Sequence, residues 1–235
     1  MLRVSLFHQA TFVASIGKLS ELPAEGPPEI AFAGRSNVGK SSAINVLSNR
    51  RRLAFTSKTP GRTQTINFYE LGDRARIVDL PGYGYARVPQ SVRSQWDHLV
   101  GGYLQIRESL AGVVVLMDAR HPYGPADAQL IEWLLPMMRS RSFRLAVLLS
   151  KADKLSRRER ESALAAVRRR LRDAGIEAEV RLFSALTREG AEALEELLLA
   201  WLGLDLRPGP GDRHPSQALR PARARRNKRA PGKGD

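Results

Sequence analysis

The chain contains no cysteine and no long apolar run, and these absences limit what kind of protein it can be. Without cysteine there is no disulfide framework and no thiolate metal site, which suits a reducing compartment. No apolar stretch approaches the roughly 18 residues that a membrane-spanning helix requires. The N-terminal residues also lack the long apolar run and small-residue cleavage site of a signal peptide. We therefore expect a cytoplasmic protein without a membrane association.

Histidine is scarce as well, with four residues scattered along the chain at spacings that do not suit a metal site. The hydrophobic content of 43% over 235 residues is enough for one substantial core. We therefore expect one domain, a monomer, with short appendages.

Acidic residues are too few to balance the basic ones, and the formal net charge is +14. Residues 207–235 carry half of this excess, with nine Lys and Arg against two Asp. The same segment is rich in Pro and Gly and almost lacks large apolar residues. We expect residues 1–206 to form the folded domain, with a short N-terminal extension, and residues 207–235 to be a disordered basic tail. Such a tail would attract the phosphates of RNA, although a purely solubilising tail has a similar composition.

The strongest positive signal is a phosphate-binding loop at Gly34–Ser42, with the sequence G-R-S-N-V-G-K-S-S. The loop pattern is Gly, four free residues and Gly-Lys-Ser/Thr. Glycines let backbone N–H groups surround phosphate oxygens, Lys40 would reach the β- and γ-phosphates, and Ser41 would ligate Mg²⁺. The apolar run Ile30–Ala33 before the loop and the helical pattern after it complete the expected strand–loop–helix unit. The candidate nucleotide-binding residues of the loop are Gly34, Arg35, Ser36, Asn37, Val38, Gly39, Lys40 and Ser41.

The remaining chain alternates between strand-like and helical patterns. The predicted strands are Ile30–Ala33, Ile66–Leu71, Arg76–Leu80, Gly112–Met117, Leu145–Leu149 and Glu179–Phe183. The predicted helices are Lys40–Asn49, Ser91–Arg107, Pro125–Arg139, Arg157–Ala174 and Glu189–Leu202. Only a short turn separates the second and third strands, which should pair as an antiparallel hairpin, whereas helical crossovers should make the others parallel. The sequence thus predicts an α/β P-loop NTPase fold with a mixed, mostly parallel six-stranded sheet and helices on both faces.

Ligands of such a sheet bind at the carboxyl ends of the strands, where two further motifs fall. Asp79 follows the third strand and could hold Mg²⁺ through a water, while the backbone N–H of Gly82 could contact the γ-phosphate. In the polar run before the hairpin, Thr63 could complete the Mg²⁺ shell. Each motif alone is also ordinary surface-loop chemistry. The candidate binding residues here are Gly61, Arg62, Thr63, Gln64, Thr65, Asp79, Leu80, Pro81 and Gly82.

After the fifth strand, Asp153 could accept hydrogen bonds from the N1–H and 2-amino group of guanine, which adenine cannot offer. Lys151 would lay its aliphatic stem on the base plane. The backbone around Ser184, after the sixth strand, could meet the guanine O6. The candidate base-binding residues are Ser150, Lys151, Ala152, Asp153, Phe183, Ser184 and Ala185.

In this order, the motifs G-R-S-N-V-G-K-S-S, T-P-G-R-T-Q, D-L-P-G-Y-G, S-K-A-D and S-A-L resemble those of translation-factor-related P-loop GTPases. The chain is most similar to the EngB (YihA or YsxC) ribosome-biogenesis GTPases over roughly Phe12 to Leu204, and D-A-R-H-P adds to the likeness. The resemblance implies GTP hydrolysis with Mg²⁺, association with the large ribosomal subunit during its assembly, and a link to cell division and septation. By this likeness, the candidate catalytic residues are Lys40, Asn37, Thr63 and Gly82, and the metal ligands are Ser41 and Thr63.

The sequence departs from the usual GTPase pattern at two positions. Ser150 stands where Asn, or Thr in this family, begins the guanine motif, which predicts retained guanine preference with weaker affinity. Tyr83 stands where Ras-like enzymes have a water-orienting Gln, so we expect slow hydrolysis. Asn37 resembles a loop asparagine that coordinates K⁺ in related GTPases and could compensate. Alternatively, Asn37 only shapes the loop, and Arg62 is a competing positive charge.

Three classes of function remain open at this point. In the first, the segments Thr59–Thr65 and Pro81–Pro89 respond to the nucleotide and switch affinity for a preribosomal particle. In the second, the chain is a P-loop nucleotide or small-molecule kinase, although Asp153 and the lack of an obvious acceptor lid favour the first. In the third, RNA binding is primary and the nucleotide is structural.

Overall fold

The structure, a computed structural model, describes residues 5–54, 65–84, 90–140 and 143–204. These residues form a seven-stranded sheet. The strands, numbered along the chain, are β1 (Ala10–Ile16), β2 (Glu29–Gly34), β3 (Ile66–Leu71), β4 (Ala75–Asp79), β5 (Leu110–Asp118), β6 (Arg144–Ser150) and β7 (Glu179–Leu182).

The helices are close to their predicted bounds. They are α1 (Lys40–Leu47), α2 (Gln90–Ile106), α3 (Pro125–Ser140), α4 (Arg157–Asp173) and α5 (Ala191–Trp201). The start of α4 shows why the sequence predicts it well: Ser156 caps the helix by accepting from the Glu159 N–H, and the Glu159 carboxylate accepts from the Ser156 N–H. Among the described residues, no helix is both long and apolar enough to cross a membrane.

The strands lie side by side in the order β1-β3-β4-β2-β5-β6-β7. β4, β2, β5, β6 and β7 are parallel, while β3 is antiparallel to both of its neighbours. The predicted hairpin is confirmed, since Leu71 pairs with Ala75 across the turn. The count of six strands was wrong, because β1 adds a seventh at the edge. This strand escaped notice because it is largely exposed and lacks a regular alternation of buried and exposed residues.

Helices cover both faces of the sheet, as predicted. Alternate residues of β5 enter two separate cores: Val113 and Val115 pack with α2, α3 and α4, whereas Val114 and Leu116 pack with α1 and α5. Burial on both faces explains why the central strands are continuous apolar runs rather than alternating ones. The two cores hold the carboxyl ends of the parallel strands at one edge of the sheet.

At the opposite edge, a buried ion pair joins the start of β2 to the end of α2. Arg107 donates to both carboxylate oxygens of Glu29, at 2.6 and 2.9 Å. Glu29 is fully buried, and the hydroxyl of Tyr103 also donates to it at 2.9 Å. Paired and hydrogen-bonded in this way, the buried charges are compensated. This cluster lies far from the carboxyl ends of the strands.

Candidate functional site

The phosphate-binding loop leaves the carboxyl end of β2 and leads directly into α1. Gly34 ends the strand, Gly39 caps the helix, and Lys40 and Ser41 form its first turn. Gly39 has φ of +106°, a conformation that glycine adopts without strain. The N–H groups at the start of α1 and the positive end of its dipole face the loop, which makes this a site for anions such as phosphates.

Lys40 and Asp79 are brought together from the loop and from the end of β4. The Lys40 Nζ forms an ion pair with the Asp79 Oδ1 in a largely buried setting. Both side chains therefore reach the same point at the edge of the sheet. The pair compensates two charges that would be costly to bury alone.

The oxygen donors near this point fit a magnesium ion. The Ser41 side chain and the Asp79 carboxylate both lie in the buried region next to the loop, and hydroxyl and carboxylate oxygens are the ligands that Mg²⁺ prefers. Within the described ranges, no three acidic or histidine side chains cluster into a metal site. The two oxygen donors suit an ion that takes its other ligands from phosphates and water, as Mg²⁺ does in nucleotide sites.

The segment after β4 lies directly against the loop. The Leu80 N–H continues the sheet by donating to Phe32 O at 3.0 Å. Tyr83 then forms an isolated parallel bridge with Arg35. In this bridge, the Tyr83 N–H donates to Gly34 O at 3.3 Å and the Ser36 N–H donates to Tyr83 O at 3.2 Å. Gly82, between these contacts, is thereby held beside the loop.

The side chain of Tyr83 turns into the core. Its hydroxyl donates to Asp127 Oδ1 at 2.9 Å, and its ring packs edge-on against Trp96. Burial, with the Asp127 carboxylate beside the hydroxyl, raises the Tyr83 pKa well above its ordinary value, so the phenol is neutral. This geometry agrees with the expectation that Tyr83 does not orient a water. Sequence reasoning missed Asp127, because one acidic residue in the first turn of a helix is a common pattern.

The two candidate base-binding segments also meet. Ser184 donates its hydroxyl to Asp153 Oδ1 at 2.6 Å, and the Ala152 N–H donates to Phe183 O at 3.2 Å. The Ser184 hydroxyl is the largest cause of an Asp153 pKa below its ordinary value. Asp153 is therefore ionised at neutral pH and is an acceptor, as recognition of guanine would require. Ala185 follows directly on this contact.

The base-binding segment is attached to the phosphate-binding loop by two contacts. The Ser150 hydroxyl donates to Val38 O at 2.7 Å, and the Lys151 ammonium donates to Asn37 O at 3.0 Å. Ser150 is buried, and its hydroxyl makes this bond at the position where the usual motif has Asn or Thr. The loop and the base-binding segment therefore form one continuous site.

Asp118, at the end of β5, fixes the position of the Lys151 side chain, and sequence reasoning gave it no role. Its carboxylate accepts from Lys151 Nζ at 2.9 Å and from the Arg120 side chain at 2.7 and 2.8 Å. These bonds, led by that from Arg120, hold the Asp118 pKa well below its ordinary range. The register of β5 and β6 explains this position: Asp118 pairs with Ser150, so both residues lie at the carboxyl ends of their strands.

Four candidates, Gly61, Arg62, Thr63 and Gln64, lie outside the described residues. Their neighbour Thr65 is described and leads into β3 at the end that pairs with Asp79. Because β3 is antiparallel to β4, its beginning lies at the carboxyl edge of the parallel strands. Thr65 therefore lies at the same edge of the sheet as the phosphate-binding loop.

Asn37 lies at the tip of the loop with φ of +61°, an uncommon value for a residue other than glycine. The residue is exposed, and its backbone oxygen is the acceptor for Lys151. This contact is made by the backbone, so both readings of the Asn37 side chain, as a cation ligand or as a loop-shaping residue, stay predictions. The exposed side chain lies at the solvent side of the site.

A comparison with protein families matches residues 29–149, slightly more than half of the chain, to a model described as "50S ribosome-binding GTPase". Among curated proteins, the chain is 52% identical over 199 residues to "Probable GTP-binding protein EngB" of Aromatoleum aromaticum, covering 85% of this chain and 90% of that protein. It is 47% identical over 227 residues to the protein of the same name from Ralstonia nicotianae, covering 91% and 95% of the two chains.

Among solved structures, the chain is similar to "a probable GTP-binding protein engB", with a TM-score of 0.59 and 21% identity. The match covers 74% of this chain and 98% of that one. At this identity the likeness concerns the fold, and it supports the α/β P-loop architecture described above.

We predict that replacing Ser184 with alanine raises the Asp153 pKa toward its ordinary value, because the hydroxyl stabilises the ionised carboxylate. The lowered pKa keeps Asp153 ionised as the pH falls, so in the S184A variant the carboxylate should protonate at a higher pH than in the unaltered chain. Titration of the carboxyl ¹³C resonance measures this shift.

Ser156→Ala is the matched control, because Ser156 is the largest cause of a lowered Glu159 pKa on an exposed helix end. It should raise the pKa of Glu159 and leave Asp153 unchanged. An Asp153 pKa unaffected by S184A would contradict the assigned hydrogen bond.

Proposed function

This chain belongs to the EngB family of P-loop GTPases, and we propose that it binds GTP and hydrolyses it slowly, with Mg²⁺ as cofactor. The observation that carries this proposal is the continuity of the site. Ser150 and Lys151, from the segment that holds Asp153, donate to the carbonyl oxygens of Val38 and Asn37 in the phosphate-binding loop. A ligand with phosphates at one end and guanine at the other matches a site built in this way.

Each residue of the site has a defined task in this proposal. The N–H groups of the loop and the start of α1 bind the phosphates, and Lys40 reaches the β- and γ-phosphates after leaving Asp79. Ser41, Asp79 and Thr63 would hold Mg²⁺, which neutralises charge that develops on the phosphates. The Gly82 N–H would contact the γ-phosphate. Asp153 selects guanine by accepting from its N1–H and 2-amino group.

The slow rate follows from the orientation of Tyr83. Its hydroxyl donates a hydrogen bond to Asp127, and its ring lies against Trp96. The side chain therefore presents no group to a water beside the γ-phosphate. Positioning of the attacking water is a substantial part of phosphoryl-transfer catalysis. Single-turnover hydrolysis without a partner should therefore be slow.

Asp153→Asn should lower GTP affinity by about 100-fold or more, because the amide replaces a carboxylate acceptor and leaves guanine N–H groups unpaired. The same variant should bind xanthosine triphosphate more tightly, since xanthine has a carbonyl where guanine has its 2-amino group. Equilibrium titration with the two fluorescently labelled nucleotides measures both affinities.

Asp73→Asn is the control, because Asp73 is an exposed aspartate in the β3–β4 turn. It should leave both affinities unchanged. Equal loss of GTP and xanthosine triphosphate binding in D153N would contradict base recognition by Asp153.

We also propose that K⁺ stimulates hydrolysis through Asn37. Asn37 is exposed at the loop tip, where its side-chain oxygen could ligate a cation, and the Tyr83 side chain is turned away toward Asp127. A cation bound there would add to the positive charge that stabilises the transferring phosphoryl group.

Turnover in KCl should exceed that in NaCl at equal ionic strength by about 10-fold or more, as removal of one electrostatic contribution typically costs at least this much. In Asn37→Ala, the two rates should become equal and low. Equal rates for the unaltered chain in both salts would show that Asn37 only shapes the loop.

For the biological role, we propose a nucleotide-dependent switch that acts in the cytoplasm, as a monomer, on the large ribosomal subunit during its assembly, with a linked role in cell division and septation. Support for a ribosomal partner comes from the description of the matching family model and from the net charge of +14. A strongly basic protein is drawn to the phosphates of RNA.

The described residues include a group of exposed arginines. Arg168, Arg169 and Arg172 are all exposed on the second half of α4, and Arg139 and Arg144 are exposed near the adjoining ends of α3 and β6. Arg139, Arg144, Arg168 and Arg172 line one groove together with Glu177 and Glu179, beside the starts of β6 and β7 and so at the opposite edge of the sheet from the phosphate-binding loop. A partner bound there would leave the nucleotide site accessible.

The full chain should sediment with large ribosomal subunits more strongly with GTP than with GDP, and a chain ending at Leu206 should bind more weakly and with less salt dependence. The reason is that the shortened chain lacks nine basic residues, each of which can displace a counterion from RNA. Co-sedimentation at several salt concentrations measures both effects. Equal binding by the shortened chain would assign attachment to the folded domain instead of the tail.

A further inference from the structure

A buried carboxylate next to the candidate site is not used in the proposed chemistry. Asp127, in the first turn of α3, is fully buried. Its Oδ1 accepts from the Tyr83 hydroxyl at 2.9 Å, and its Oδ2 accepts from the Gly124 N–H at 3.0 Å. One oxygen therefore completes the start of the helix, while the other reaches across to the segment that follows β4. Helix capping does not account for the contact with Tyr83, which therefore needs another explanation.

The segment that Asp127 reaches is the one that carries Gly82. A Cβ atom added to Gly82 would lie 3.1 Å from the Ser36 N and 3.2 Å from its Cα, closer than ordinary contacts. Gly82 thus lies tightly against the phosphate-binding loop, and a side chain there would displace its neighbours. Its position depends on what holds the residue on either side of it.

Both neighbours of Gly82 are held by helices. On one side, the Trp96 Nε1 in α2 donates to Pro81 O at 2.9 Å. On the other, Tyr83 is joined to the loop through its backbone and to α3 through its hydroxyl. The Tyr83 ring is also restrained, because it packs against Trp96 with the ring centroids 6.1 Å apart. The hydroxyl of Tyr83 therefore attaches this segment to α3.

We propose that Asp127 is a positioning residue: by accepting the Tyr83 hydroxyl, it holds Gly82 against the phosphate-binding loop and so sets how well the chain distinguishes GTP from GDP. The proposal rests on the proposed function, because it assumes that the Gly82 N–H contacts a γ-phosphate. GDP lacks that phosphate, so a displaced Gly82 weakens GTP binding and leaves GDP binding largely unchanged.

The fold offers a matched control for this proposal. Tyr103, like Tyr83, is a buried tyrosine whose hydroxyl donates to a buried carboxylate at 2.9 Å, in this case that of Glu29. The Tyr103–Glu29 contact lies at the opposite edge of the sheet from the phosphate-binding loop. Tyr83→Phe and Tyr103→Phe therefore remove the same kind of bond, and only the first removes it beside Gly82.

The test measures the affinities of full-length variants for GDP and for a non-hydrolysable GTP analogue, together with single-turnover hydrolysis and the melting temperature. Tyr83→Phe should weaken the GTP analogue relative to GDP by about 5- to 20-fold, a typical coupling between two sites, and should slow hydrolysis. Tyr103→Phe should lower the melting temperature while leaving the affinity ratio and the rate within about 2-fold of the unaltered chain.

A double-mutant cycle keeps the proposal testable if one variant folds poorly. Asp127→Ala also removes the contact with Gly124, so it should destabilise the chain more than Tyr83→Phe. The loss of GTP preference in the double variant should nevertheless equal that in Tyr83→Phe alone, because both changes remove the same hydrogen bond between Tyr83 and Asp127. Additive losses, or a Tyr83→Phe variant that behaves like Tyr103→Phe, would overturn the positioning role. If the unaltered chain binds neither nucleotide, the proposed function itself fails.

Discussion

The parallel pairing of β2 with β4 on one side and β5 on the other is the constraint on which the candidate site depends. It places the carboxyl end of β2 at the centre of one edge, so that the loop from Gly34 emerges between the segments that follow its two neighbours. After β4 the chain crosses to the other side of β2 to form β5, and ligands of sheets of this type bind where the strand order reverses in this way. Lys40 meets Asp79 at this point because strand pairing has already aligned their segments.

The same pairing continues across β5 and β6 and explains how a base-binding segment becomes attached to a phosphate-binding loop. Asp118 and Ser150 are partners in register, and from this position the carboxylate of Asp118 holds Lys151 while Ser150 reaches Val38. The buried network at the other edge, with Arg107 paired to Glu29, anchors the end of α2 away from the ligand. The scaffold therefore has a buried ion-pair network at one edge of the sheet and the candidate site at the other.

Local sequence was sufficient for features that depend on nearby residues. The loop at Gly34–Ser42, the β3–β4 hairpin and the capped start of α4 have local chemistry that few other structures would satisfy. The edge strand β1 escaped prediction because its stability comes from pairing with β3 rather than from its own pattern. Asp127 could not be recognised, because only the fold brings it to Tyr83, 44 positions away in the chain. The direction of the Ser150 hydroxyl likewise depends on a partner distant in sequence.

The central claim is that the phosphate-binding loop and the Asp153 segment form one site for a guanine nucleotide. Competition for labelled GDP bound to the full chain tests it directly, with unlabelled GTP and ATP as competitors in the presence of Mg²⁺. The account predicts displacement by GTP at concentrations at least about 100-fold lower than ATP, because adenine leaves the Asp153 carboxylate without its two donors. Displacement by ATP as readily as by GTP would contradict it and would favour a P-loop kinase.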